Sequence, residues 1–129
     1  MLAIDTNVLV RYLTGDHAVQ SEKARALIDG ERVFVSVTVL LETEWVLRSV
    51  YGHGQAAVAR TLRGFAGLPN VAIEDAGPAA RALDWTEQGM DFADALHLAR
   101  TSFCDGFATF DREFGRAAGR IAKITLRAP

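Results

Sequence analysis

Short apolar runs alternate along this chain with longer segments in which apolar residues recur at helical spacing. Such alternation is typical of an α/β domain in which helices connect parallel strands. The runs predicted to be strands cover residues 2–5, 32–36 and 71–73, a stretch from Gly106 to near Thr109, and residues 121–126. The pattern therefore predicts a three-layer α/β/α fold with a central, mainly parallel sheet.

Capping and turn residues bound the predicted helices. These helices run from Asp5–Asn7 to Gly15, from Asp16 to Gly30, from Thr38 to Tyr51, through Val58 to Phe65, from Asp75 to Gly89, from Asp91 to about Cys104, and from Asp111 to about Ala118. The segment 38–51 is apolar nearly all round, which predicts a helix buried in the core and partly by another protein.

Acidic residues stand at the ends of predicted strands and at the starts of predicted helices. Asp5 and Asp111 each follow a strand, and ligands of parallel sheets bind beyond the carboxyl ends of the strands. Asp91 and Asp94 begin one helix and, three residues apart, lie near the same edge of it. Each also has a structural interpretation as a helix cap or a first-turn acid, with Asn7 as an alternative cap to Asp5.

Two glutamates in the apolar segment have different expected roles. Glu42 is flanked at helical spacing by apolar residues, so we expect a buried carboxylate that needs a cation, a proton or a donor network. Glu44 is rotated by about 200° from it on a helix. Arg48 follows Glu44 at i+4, the favourable order for an ion pair. We therefore predict a structural role for Glu44 and a site role for Glu42.

Several carboxylates meeting at one sheet edge would repel one another unless divalent cations or protons neutralise them. Oxygen ligands alone favour Mg²⁺, or Mn²⁺ as its substitute, over zinc. His17, His53 and His97 do not form a metal-ligand spacing. His97 follows Asp94 by three residues and could lie beside it without binding the metal itself, although a packed or surface histidine is the simpler interpretation.

Composition narrows the class of protein. A length of 129 residues fits one domain spanning 1–129, and the net charge of −2 gives no basic footprint for tight non-specific nucleic-acid binding. Acids that hold metal can still meet phosphate through the metal. Cys104 is the only cysteine, which excludes an intramolecular disulfide. No apolar run approaches the roughly 20 residues that span a membrane, and no signal-peptide pattern is present, so we expect a cytoplasmic protein with no membrane contact.

Four motifs follow one another along the chain, namely Ile4–Leu9, Val39–Leu47, Asp91–Leu96 and Thr109–Asp111. Together they resemble the motifs of PIN-domain ribonucleases, most closely those of the VapC toxins of bacterial type II toxin–antitoxin systems. Each motif alone is weak, and the order and spacing of all four carry the resemblance. The resemblance extends over essentially the whole chain.

The resemblance implies a specific set of site residues. The acids that bind metal and act in catalysis fall on Asp5, Glu42, Asp94 and Asp111, and the neighbouring positions of second rank fall on Thr6, Asn7, Asp91 and Thr109. Asp5 would bind the principal metal with Asp94 and Glu42, and Asp111 would hold a second metal or orient water. Members of this family cleave RNA with Mg²⁺ or Mn²⁺ and form homodimers. A small antitoxin, here a VapB-like protein, silences them by placing its tail in the active-site groove.

Other protein classes share parts of this pattern. Phosphatases of the haloacid dehalogenase type also open with a strand that ends in Asp, but they need a second Asp where this chain has Asn7. Receiver domains need a late lysine that Lys23 and Lys123 fit poorly. A non-catalytic, metal-tuned protein-binding module and a DNA nuclease of the same fold stay open at this stage.

Overall fold

The computed structural model describes all 129 residues. Three strands, β1 (Leu2–Ala3), β2 (Val33–Val35) and β3 (Val71–Ile73), form one parallel sheet in the order β1-β2-β3. Leu2 pairs with Val33, and Val33 pairs in turn with Val71. The three strands lie where the apolar runs predicted them; β1 and β2 are shorter than their runs, and β3 has the predicted bounds.

Seven α-helices and a π-helical segment surround the sheet in an α/β/α arrangement. The helices are α1 (Thr6–Thr14), α2 (Ala18–Gly30), α3 (Val37–Ser49), α4 (Gln55–Ala66), α5 (Ala76–Glu87), α6 (Phe92–Ala99) and α7 (Arg112–Ala117), with the π-helical segment at Ala118–Ala122. The predicted fold class is thus confirmed. None of these helices combines the length and the apolarity needed to cross a bilayer.

Two helical crossovers connect the strands, as parallel pairing requires. Helices α1 and α2 join β1 to β2, and α3 and α4 join β2 to β3. Helix α1 packs on α2 and α3, and α5 packs on α4 and α6. The core between these layers is built from fully buried aliphatic and aromatic side chains, among them Leu9, Val33, Leu40, Leu62, Leu83 and Phe92.

The predicted fourth and fifth strands are wrong. Ala108 forms only an isolated parallel bridge with Arg127, and residues 118–122 are π-helical. The run from Gly106 buries too little apolar surface to join the sheet, because Phe110 is 85% exposed and Phe107 is only half-buried. Strand β1 therefore remains at the edge of the sheet.

Two helix boundaries also differ from prediction. Helix α6 ends at Ala99 rather than near Cys104, and just beyond it the Thr101 hydroxyl donates to the carbonyl of His97 at 2.7 Å. Helix α2 is capped by His17, whose Nδ1 accepts from the Gln20 N–H, and not by the preceding Asp16. The carboxylate of Asp16 is occupied elsewhere, since it accepts hydrogen bonds from Arg11, Thr14 and Tyr51.

Candidate active site

Three aspartates cap the helices that they precede. Asp5 Oδ1 accepts from the Val8 N–H at 3.0 Å, and Asp91 Oδ2 accepts from the Asp94 N–H at 3.2 Å. Asp111 Oδ1 accepts from two N–H groups in the first turn of α7, at 3.0 and 3.1 Å. Each cap uses one carboxylate oxygen and leaves the other for a different partner. Capping and a site role are therefore compatible in all three residues.

Asp91, Asp94 and Asp111 line one cavity of about 240 Å³ between the starts of α6 and α7. Burial raises the pKa of Asp94 above its ordinary value, and the charges of Asp91 and Asp111 raise it further, whereas His97 acts in the opposite direction. The structure thus brings three of the predicted acids close enough to repel one another.

Glu42 and Asp5 lie on either side of a contact between α1 and α3. The Thr6 hydroxyl, next to Asp5 in the chain, donates a short hydrogen bond to Glu42 Oε1. Glu42 shares a second cavity, of about 450 Å³, with Asp91, whereas Asp5 and Asn7 line a third, of about 320 Å³. One hydrogen bond and two shared cavities therefore link the predicted residues in a row, from Asp5 and Thr6 through Glu42 and Asp91 to Asp94 and Asp111, and Asp91 is common to both cavities.

The prediction that Glu42 is buried was wrong, and Glu44 is the buried acid of α3. Glu42 is exposed, whereas Glu44 is 1% exposed. Glu44 accepts from Arg48 Nε at 2.8 Å and from Arg48 Nη2 at 3.2 Å, which confirms its predicted structural pairing. The buried face of α3 has the i, i+3, i+4, i+7 spacing of an amphipathic helix. It comprises Leu40, Thr43, Glu44 and Leu47.

The row of acids has no cationic partner within the chain. Asp5, Glu42, Asp91, Asp94 and Asp111 take part in none of the ion pairs. As placed, no three Asp, Glu, His or Cys side chains come close enough together to hold one metal ion. Mg²⁺ is commonly held by only one or two carboxylates, with water and substrate phosphates completing its shell. By donor chemistry these residues therefore fit a divalent cation.

Two polar side chains support the acids. Thr109 Oγ1 accepts from the Asp111 N–H at 3.0 Å and so fixes the start of α7. Gln55, which the sequence interpretation missed, donates from Nε2 to the carbonyls of Thr86 and Met90 at 3.0 and 2.9 Å. It therefore ties α4 to the segment that leads into Asp91. The local signal was a glutamine at the first position of a helix, which does not disclose such distant partners.

Comparison with protein-family models gave one informative result. The model described as PIN domain matches residues 2–120, nearly the full chain. Comparisons with curated proteins and with solved structures gave no match.

Proposed function

The chain belongs to the PIN domain family, whose members are generally nucleases, and from this premise we propose that it is a metal-dependent endoribonuclease. The proposed substrate is RNA, and the proposed cofactor is Mg²⁺, with Mn²⁺ as a substitute. The observation that carries the proposal is the row of five carboxylates, Asp5, Glu42, Asp91, Asp94 and Asp111, none of them paired with a basic side chain.

The family match favours a nuclease over the phosphatase considered from sequence. The position where a phosphatase of the haloacid dehalogenase type would need its second aspartate carries Asn7, which is exposed at the cavity of Asp5. A neutral amide there cannot act as a general acid or base. The carboxylates that remain are all suited to bind a cation.

We assign the roles of the acids from the family resemblance, because as placed no three of them converge on one ion. Asp5, Asp94 and Glu42 would hold the principal divalent metal, and Asp111 would contribute to a second ion or orient water. When bound, the metal supplies a nucleophile by acidifying water and stabilises the charge that develops on the phosphate. Asp91 is the second choice as a ligand, and it borders the cavities of both Glu42 and Asp94. Thr6 orients Glu42 through its hydroxyl, and Thr109 orients Asp111.

The decisive experiment is cleavage of a total RNA pool by purified protein in Mg²⁺, in Mn²⁺ and in chelator. Asp94→Asn removes one central charge with little change in volume. Glu31→Gln is the matched control, because Glu31 is an exposed acid that lies before the amino end of β2, whereas Asp5 follows the carboxyl end of β1. We expect discrete products that require metal, persist in the Glu31 variant and disappear in the Asp94 variant.

Other outcomes have equally clear meanings. Absence of cleavage by the folded protein under either metal would favour the non-catalytic binding module. Equal cleavage by Asp94→Asn and wild type would point to a contaminating nuclease or to a different site. Metal-dependent cleavage of DNA with RNA untouched would replace the proposed substrate and keep the site.

We further propose that the nuclease is the toxin of a VapBC-type pair in the cytoplasm. In this proposal it acts as a homodimer and is silenced by a VapB-like antitoxin, which can join it in a larger assembly. Induced expression should arrest growth, Asp94→Asn should relieve the arrest, and sedimentation should report a mass of two chains. Growth that is unaffected by an active wild-type nuclease would contradict the toxin role and leave the nuclease proposal standing.

A further inference from the structure

Trp45 is a large exposed side chain near the acids that the catalytic proposal leaves unused. It is 53% exposed on α3, although tryptophan offers more apolar surface for burial than any other residue. Its ring forms none of the aromatic pairs in the structure. Leaving this surface in water forgoes the free energy that burial would provide. A ligand that covers the ring would recover that free energy.

The position of Trp45 relates it directly to the candidate site. Trp45 follows Glu42 by three residues, so it lies about 4.5 Å further along the axis on nearly the same face of the helix. Both residues line the cavity of about 450 Å³, to which Asp91, the N-cap of α6, also contributes. Anything that fills this cavity therefore contacts the indole ring and two acids of the row at once.

The surroundings of the ring favour a nucleobase over a protein surface. The cavity is bordered by charged side chains, namely Glu42, Glu44, Arg48 and Asp91, with only Leu41 and Ala93 as further apolar contacts. A stable protein interface needs about 800 Å² per partner around an apolar centre. A single large apolar ring with a charged rim instead matches a base, which has a flat π face and a polar edge.

We propose that Trp45 is a stacking platform for an unpaired nucleobase of the RNA, adjacent to the phosphate that meets the acids. This inference rests on the proposed nuclease function and specifies its substrate as single-stranded RNA. In an RNA duplex both faces of each base are covered by neighbouring bases, so only an unpaired base can offer its face to the ring. Stacking on aromatic side chains tolerates any base, so Trp45 adds affinity without sequence preference. It also supplies binding free energy that a chain of net charge −2 does not gain from bulk electrostatics.

The test uses the full chain with Asp94→Asn, so that RNA binds without being cut, in the presence of Mg²⁺. The chain has two tryptophans, and Trp85 packs against the core. The Trp45 signal is therefore the difference between the emission of this variant and that of the same variant with Trp45→Phe. A mixed-sequence oligoribonucleotide should quench that difference, and its duplex should not. Binding is measured separately by the anisotropy of the labelled oligonucleotide.

Trp45→Ala should weaken binding of the single strand roughly tenfold or more, since stacking of one base is lost. Trp45→Phe should retain most of the affinity because a smaller π face remains. Val50→Ala is the control, since Val50 is an apolar residue just beyond α3 that is even more exposed than Trp45, and this variant should bind as the parent does. In the active background, Trp45→Ala should raise KM more than it lowers kcat.

Two results would overturn the stacking role. Neither would contradict the nuclease proposal if the wild type still cleaves RNA. One is unchanged RNA affinity in Trp45→Ala. The other is a change in sedimented mass in Trp45→Ala, which would assign the ring to an interface between copies of the chain. Quenching of the Trp45 emission by RNA without any RNA cleavage would support the stacking role and contradict the nuclease proposal. Absence of both quenching and cleavage would contradict both proposals.

Discussion

Substitution of Arg48 by methionine tests the energetic meaning of the buried carboxylate on α3. Glu44 is enclosed by the core, with its side chain 2% exposed, whereas the Arg48 side chain is 33% exposed. Arg48 donates to both oxygens of Glu44, and these hydrogen bonds are the main reason that the pKa of Arg48 is raised. Arg48→Met keeps the aliphatic stem and leaves the carboxylate without its partner.

The cost follows from the burial of Glu44 and the partial exposure of Arg48. Removing one partner of a buried ion pair typically costs about 3–5 kcal/mol, because the remaining charge is uncompensated. Because water reaches Arg48, we expect the low end of the range, about 3 kcal/mol at pH 7.

Urea denaturation of wild type and variant at pH 7 measures the difference. A loss of about 3 kcal/mol in a domain of this size lowers the melting temperature by roughly 10–15 °C. Arg60→Met is the matched control, since Arg60 is 57% exposed and its Nη1 lies 3.5 Å from Glu87 Oε1 in a surface pair. It should cost less than about 1 kcal/mol in the same assay.

The double variant Glu44→Gln/Arg48→Met removes both charges and should recover much of the lost stability, since a buried neutral amide needs no counter-ion. A loss below about 1 kcal/mol for Arg48→Met at pH 7 would refute the reasoning. So would a double variant that is as unstable as Arg48→Met, because the carboxylate would then not be the origin of the cost.

Three further predictions concern other parts of the chain. Asp94→Asn should raise the melting temperature in chelator at neutral pH, since the raised pKa of Asp94 means that its ionised form opposes folding above that pKa; an unchanged or lower value in thermal denaturation would contradict this. The hydrogen bond from Arg63 is the main cause that lowers the pKa of Glu87 below its ordinary 4.5. The pair therefore stabilises the fold fully above pH 4.5, and this stabilisation is lost as the pH falls through the lowered pKa of Glu87 in the folded state. In Arg63→Met the free energy of unfolding, measured in urea from about pH 6 to 3, should therefore fall less steeply towards low pH than in the wild type. An equally steep fall would be inconsistent with the pairing. Gln55→Ala leaves the Met90 carbonyl without its donor, so it should cost about 1–2 kcal/mol in urea denaturation and reduce RNA cleavage, whereas wild-type values for both would show that the bridge is dispensable.

Local patterns were sufficient for the first three strands and for the acids that begin helices. The runs around Ile4, Val33 and Val71 are apolar and bounded by turn or capping residues, so their assignment as strands follows from the sequence. Asp5, Asp91 and Asp111 stand where a cap is needed, and each is a cap in the structure. The parallel topology accounts only for the position of Asp5, which follows β1, because Asp91 follows α5 and no strand directly precedes Asp111.

Features that depend on distant contacts could not be predicted in this way. In α3 apolar residues occupy every face, so periodicity did not show whether Glu42 or Glu44 faces the core. From the sequence alone Asp16 was a plausible cap for α2. In the structure its carboxylate instead accepts a hydrogen bond from the hydroxyl of Tyr51, which is far along the chain. The run from Gly106 had the composition of a strand, but whether it pairs depends on the burial available beside β1.

The caps at Asp5, Asp91 and Asp111 determine how easily natural variation can silence this protein. Asparagine caps a helix about as well as aspartate, and a single nucleotide change converts an Asp codon into an Asn codon. One mutational step can therefore remove a site charge while every helix still begins at its proper residue. Such a descendant would fold, persist and keep its other surfaces intact. Natural chains of this fold that carry asparagine at one of these positions are thus expected to be stable, inactive relatives rather than misfolded ones.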